Sequence, residues 1–178
     1  MNKNKNKGKT WERELATHLS EVTGKSFLRV PNSGAYVGNS NSFRVEVLTP
    51  EQIGMFEGDI ITPKEWDHVR FECKFYKKMA WGQLFQPEGE SQLNSWIKQS
   101  KQGTRPLWFL CFKINNIGKF IVFDFEQGDK YNYNFDNCLT YRVNGIDGMC
   151  YIATMDNFFE LNKDIIEGLK NDTSNRNS

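Results

Sequence analysis

Gly58-Asp59 is followed, after a gap of twelve residues, by Glu72-Cys73-Lys74. In an extended strand, residues two apart share a face, so Glu72 and Lys74 point the same way while Cys73 turns into the core with Phe71 and Phe75. If residues 63–68 join two antiparallel strands, a symmetric register sets Thr62 opposite Val69, Ile61 opposite Arg70, Ile60 opposite Phe71 and Asp59 opposite Glu72. Directly opposed residues hold their Cβ atoms about 5 Å apart. Two carboxylates that close repel unless one takes a proton or a cation sits between them. Oxygen-only ligands favour Mg²⁺ or Mn²⁺. A lysine beside such an ion could orient a water nucleophile or stabilise charge building on a phosphate. Glu12 is a third acid, beside Leu15 and Ala16; by spacing alone it reads as part of a solvated helix face.

The elements that position these residues follow from periodicity. Trp11, Leu15, Leu19 and Val22 recur at helical spacing and Gly24 stands where a C-terminal cap belongs, which predicts an amphipathic helix over 11–22. Phe27 to Val30 reads as a short strand ending at Pro31. Residues 32–57 are rich in Ser, Asn and Gly, with a possible strand or short helix at 43–48; long excursions of this kind are usually functional or mobile. Asp59 to Thr62 and Val69 to Phe75 read as adjacent antiparallel strands. A second helix is expected over 91–102, with Leu93, Trp96, Ile97 and Ser100 on one face. The run Leu107 to Ile114 reads as a strand covered on both faces. Another strand is expected at 119–125, weaker ones around Tyr131, Leu139 and Cys150, and a last helix over 156–169. This order argues for a mixed α/β sheet with helices packed on it.

The chain of 178 residues is long enough for one domain with a sizeable core and short for two. Its expected layout is a disordered basic arm at 1–9, a single domain over 10–170 carrying an insert at about 35–57, and a loose tail at 171–178. No apolar run approaches the roughly 20 residues needed to span a bilayer, and Met1 to Lys9 lacks the apolar stretch of a secretory signal. These features lead us to expect a soluble, intracellular protein. The net charge of +1 conceals a gradient, with Lys3, Lys5, Lys7, Lys9, Arg13, Lys25 and Arg29 against Glu12, Glu14 and Glu21 in the first 29 residues. A basic face for phosphates and a solubilising tail both account for that asymmetry. The four cysteines lack metal-binding spacing and are expected to be reduced and mostly buried. Neither a Gly-rich phosphate loop nor a nucleophilic Ser-His-Asp pattern is visible.

Four segments carry a resemblance. Lys7-Gly8-Lys9-Thr10-Trp11-Glu12-Arg13 resembles the K-G-x-x-x-E-R opening of the archaeal-type Holliday junction resolvases, and Arg29-Val30-Pro31-Asn32-Ser33-Gly34 resembles their R-x-P-x-S-G segment. Gly58-Asp59-Ile60-Ile61 and Phe71-Glu72-Cys73-Lys74 stand where that family has P-D-(I/L)-(I/V) and (I/V)-E-x-K. The match covers residues 7–78, in order. It departs from the family in Gly58, which replaces a proline, and in a longer stretch between Gly34 and Asp59.

The resemblance implies a restriction-endonuclease-like PD-(D/E)XK core and a Mg²⁺-dependent endonuclease, with Mn²⁺ as a substitute. It implies a metal site at Glu12, Asp59 and Glu72, with Cys73 counted among its positions, Lys74 as catalytic lysine and Ser33 on a contributing loop. Arg13 and Arg29 would help hold DNA, a role to which Lys7, Lys9, Lys77 and Lys78 are also candidates. The assembly implied is a two-fold homodimer nicking opposite strands of a four-way junction. Other readings are a repair- or restriction-type nuclease on the same core, cutting duplex or flapped DNA, and a DNA-binding scaffold without activity. Gln83 and Gln92 are possible supports for the site, Trp81, Trp96 and Trp108 are expected in the core or an interface, and His18 and His68 on the surface.

Overall fold

The computed structural model describes residues 3–31, 57–85, 91–143 and 148–169. The elements are α1 (Lys3–Thr23), β1 (Leu28–Arg29), β2 (Ile60–Ile61), β3 (Val69–Tyr76), α2 (Gln92–Lys101), β4 (Leu107–Ile114), β5 (Gly118–Asp124), α3 (Phe125–Tyr131), β6 (Leu139–Arg142), β7 (Met149–Thr154), α4 (Met155–Leu161) and α5 (Lys163–Gly168). Five strands form one mixed sheet in the order β3-β4-β5-β7-β6, and β1 pairs with β2 beside it. The pair β3/β4 is parallel and the remaining pairs are antiparallel. A parallel pair needs a crossover, and α2 lies within it.

Strand β4 is buried along nearly its whole length, as its unbroken apolar run predicts. Alternation divides its side chains between two cores. Phe109 and Cys111 join Trp11, Leu15 and Leu19 of α1, and Trp108, Leu110 and Phe112 join Leu93, Trp96 and Ile97 of α2. The Trp11 indole N–H donates to the carbonyl of Cys111 at 3.1 Å, which satisfies a donor that burial would otherwise leave unpaired. Helix α2 begins at Ser91, whose hydroxyl accepts from the Asn94 amide at 3.2 Å.

Three local expectations are corrected. Helix α1 starts at Lys3, so residues 3–9, expected to be disordered, continue the helix, and the Lys7 ammonium lies 5.9 Å from the centre of the Phe75 ring. That contact lets a polar segment dock on the sheet. The strand expected around Tyr131 is helix α3, because Asp124 caps it by accepting from the Glu126 amide at 3.1 Å and Asn132 closes it in the left-handed conformation. The single helix expected over 156–169 is two, broken at Asn162, whose buried amide bonds the main chain of Asn134 and Phe158. The insert at 35–57 and the tail at 171–178 lie outside the described residues, apart from Glu57.

Among the described residues no helix is long and apolar enough to cross a membrane. All four cysteines are free, with Cys73, Cys111 and Cys150 buried and Cys138 half-buried. Trp96 and Trp108 are core residues and Trp81 packs against the same cluster. His18 and His68, expected on the surface, are both half-buried.

Candidate active site

Strand β3 lies at one edge of the five-stranded sheet and carries Glu72, Cys73 and Lys74. As alternation requires, Cys73 enters the α1 core with Phe71. Glu72 and Lys74 share the other face, where the Lys74 ammonium meets Glu72 Oε1 at 2.7 Å. The same oxygen accepts a hydrogen bond from the Gln99 side-chain amide of α2 at 3.0 Å. Gln99 is held in turn by Arg70, which donates to its main-chain carbonyl at 3.1 Å. Arg70 is buried, with Glu57 facing it at 3.6 Å, and Gly103 allows the approach because a Cβ there would run into the Arg70 guanidinium and Glu57.

Asp59 does not sit in the expected hairpin register. Strand β2 forms its ladder with β1, pairing Arg29 with Ile60 and Leu28 with Ile61, and a 3₁₀ turn at Lys64–Trp66 occupies the connection to β3. The Asp59 amide donates to the Phe71 carbonyl at 2.9 Å, one residue from the pairing expected with Glu72. Its carboxylate accepts from the Cys73 amide at 2.7 Å. Gly58 explains the departure from proline: its φ is +85°, which a proline ring forbids, and a Cβ there would lie 2.7 Å from the Phe71 carbonyl oxygen.

Glu12 is not on a solvated face. Its carboxylate accepts from the Arg29 guanidinium, and both side chains are largely buried. The four segments singled out in the sequence are therefore linked in succession. Glu12 holds Arg29; the next residue, Val30, donates its amide to the Asp59 carbonyl at 2.9 Å; and Asp59 is bonded to Phe71 and Cys73. Residues 12, 29–30, 59 and 71–74 thus form one hydrogen-bonded chain around the edge of the sheet.

The electrostatics centre on Glu72. Burial and then the neighbouring charge of Asp59 raise its affinity for a proton, against the pull of Lys74. Burial also pushes the Cys73 thiol up, followed by Asp59, Cys111, Glu12 and Glu72, so all three acids act on the position of residue 73. Cys73 can offer the site its main chain; its sulfur is neutral and in the core. Among the described residues no three His, Cys, Asp or Glu side chains gather as a metal centre. Asp59 and Glu72 come together, and Glu12 is engaged by Arg29. Two adjacent carboxylates, one with its proton affinity raised by burial and then by the other's charge, are a donor set that fits a hard divalent cation.

Of the DNA-contact candidates, Lys7 and Arg13 are exposed on α1, Lys9 is half-buried there, and Lys77 and Lys78 are exposed just beyond β3. Arg29 turns inward to Glu12. Ser33 lies outside the described residues. Gln99 was not singled out by sequence reasoning, which named Gln83 and Gln92; the available signal was its place three residues after Trp96 and next to Ser100, at the margin of the buried stripe of α2.

A mixed sheet flanked by helices, with an aspartate and a Glu-x-Lys at its edge, is consistent with the PD-(D/E)XK nuclease fold. The profile of the phage putative PDDEXK endonuclease family matches residues 3–167, and the chain belongs to that family. No curated protein and no solved structure matches significantly. Nucleases of this type generally use divalent metals.

Proposed function

We propose that this nuclease is a Mg²⁺-dependent, structure-selective DNA endonuclease that resolves four-way junctions by paired symmetric nicks, acting as a two-fold homodimer. The observation that carries this reading is the linkage of the four resolvase-like segments through the Glu12–Arg29, Val30–Asp59 and Asp59–Cys73 hydrogen bonds. Four segments that resemble one family in order also meet in space. Asp59 and Glu72, with the main chain of Cys73, would hold the cation, for which Mn²⁺ would substitute. Bound there, a divalent ion supplies Lewis-acid stabilisation of phosphoryl charge and lowers the pKa of water.

The chain's own residues do the rest. Lys74, fixed by Glu72, presents a cation to the phosphate on which negative charge develops. Gln99 holds Glu72 in one orientation, so the carboxylate reaches the site without searching rotamers. Arg29 keeps Glu12 against the same edge, and Ser33 follows four residues later on the segment that resembles the catalytic loop. Lys7, Lys9, Arg13, Lys77 and Lys78 are available for phosphates, which would give affinity without sequence preference.

The test is cleavage of a labelled synthetic four-way junction and of a matched linear duplex with Mg²⁺, alongside Glu72→Gln. Symmetric nicking of the junction alone, abolished by the substitution, is the expected result. Equal cutting of both substrates would replace junction resolution with a repair- or restriction-type activity on the same core. Tight binding with no cleavage under any divalent ion would leave a DNA-binding scaffold.

A further inference from the structure

Lys113 of β4 and Lys119 of β5 are directly opposed in the sheet, and Lys113 in turn neighbours Phe75 of β3. Like charges placed directly opposite each other destabilise a sheet, so the arrangement calls for an explanation. Both ammonium groups lie over the same ring, that of Trp11, at 5.7 and 6.0 Å from its centre. They therefore project on one face, the face covered by α1. The Lys7 ammonium lies over Phe75 on that helix, so the three cations follow one another across three neighbouring strands. With strands about 4.8 Å apart, that row spans about 10 Å.

The row is not neutralised from within. Glu14 pairs with Lys113 at 2.6 Å, leaving three lysines against one carboxylate, a balance of +2. Lys119 is exposed and has no carboxylate partner among the described residues. At its far end the row meets His18, which lies within electrostatic reach of Lys119 and also of Asp156 and Glu21, so the positive strip stops there. At its near end it starts at Phe75 of the edge strand β3, which carries Glu72 and Lys74 on its opposite face. Trp11 is almost fully buried, so its ring orients the ammonium groups and offers no face for stacking a base.

We infer that Lys7, Lys113 and Lys119 form a phosphate-binding rail that holds the DNA backbone along the α1 face of the sheet, starting at the edge strand that carries the candidate site, independently of sequence. A duplex carries one negative charge per about 1.7 Å of its axis, so a cationic row of this length faces several phosphates. The inference rests on the reading of the chain as a DNA endonuclease and adds a surface to it. Lys113 and Lys119 lie outside all four of the resolvase-like segments.

The experiment measures binding to a mixed-sequence DNA duplex, without divalent metal, over about 50 to 200 mM salt. It compares the wild-type chain with Lys119→Ala, Lys119→Arg and, as a control for lost charge elsewhere, the exposed Lys163→Ala. Losing one phosphate contact should lower the slope of log affinity against log salt by about 0.9 in Lys119→Ala. The slope should return in Lys119→Arg and stay at the wild-type value in Lys163→Ala. An unchanged slope in Lys119→Ala, or an equal drop in Lys163→Ala, would overturn the rail while leaving the nuclease intact. Failure of the wild-type chain to bind DNA at all would instead strike at the DNA-endonuclease reading beneath it.

Discussion

Asp59 accepts a hydrogen bond from the Cys73 amide at 2.7 Å, so the first acid of the site is clipped to the strand that carries the second acid and the lysine. The aspartate thus has a structural contact as well as a charge. The two can be separated by substitution.

Asp59→Asn keeps an oxygen acceptor for the Cys73 amide and loses the charge. Cleavage should fall by roughly 10²- to 10³-fold, the scale of losing one electrostatic catalytic group, with thermal stability near wild type. Asp59→Ala leaves the buried amide without this acceptor and should cost about 1–3 kcal/mol in addition. Denaturant melts of both variants, beside a cleavage assay, check the division; equal destabilisation by Asn and Ala would refute it.

Gln99→Leu removes the amide that donates to Glu72 Oε1. Residues that orient a metal ligand typically contribute 10- to 100-fold to metal affinity or activity. The divalent-ion concentration giving half-maximal cleavage should rise by about that factor, while DNA affinity measured without metal stays the same. A metal titration of cleavage reads the first quantity. No shift in it would remove Gln99 from the site.

Gly58→Ala places a Cβ against the Phe71 carbonyl at a backbone angle of +85°. Strain of this kind costs about 1–3 kcal/mol, and Gly58→Pro, although it restores the residue of the resembling family, should cost more because the ring cannot adopt the angle. Equilibrium unfolding in urea measures both. A proline variant as stable as wild type would show that the loop can relax.

His18 predicts a dependence on pH. Burial lowers its pKa below the ordinary 6.5, against the opposing influence of Asp156, and its Nε2 has no hydrogen-bond partner among the described residues. The folded chain therefore takes up the proton less readily than the unfolded chain. Stability from this group is present above pH 6.5 and is lost as pH falls below it. His18→Phe keeps an aromatic ring against Phe159, which His18 meets edge-on at 5.0 Å, and should flatten the decline between about pH 7.5 and about pH 5.5. An equally steep decline in both proteins would assign it to other groups.

The shared face of the candidate residues was legible because strand alternation leaves little choice: Glu72 and Lys74 had to point the same way once Cys73 faced the core. The strand Leu107–Ile114 was legible for a similar reason, since an apolar run of that length has one use in a sheet. The partner of Asp59 was not, because the register expected from a symmetric loop ignores the 3₁₀ turn at Lys64–Trp66 and the turn at Gly58. Glu12 looked like an ordinary surface acid until Arg29 of the next segment met it, a contact between residues seventeen apart. Around Tyr131 a weak strand was expected, and the capping by Asp124 and Asn132 made it a helix.

The hydrogen bond from Val30 to Asp59 bears on how far the stretch between them can vary in length. It brings the two ends of the intervening stretch side by side, so the chain leaves the edge that carries the candidate site and re-enters it at almost the same point. Closing such a stretch costs only about 0.6 kcal/mol more for each doubling of its length. Length can therefore vary between Gly34 and Glu57 at little cost in closure, whereas Glu57 and Gly58 at its far end stay tied to the candidate site.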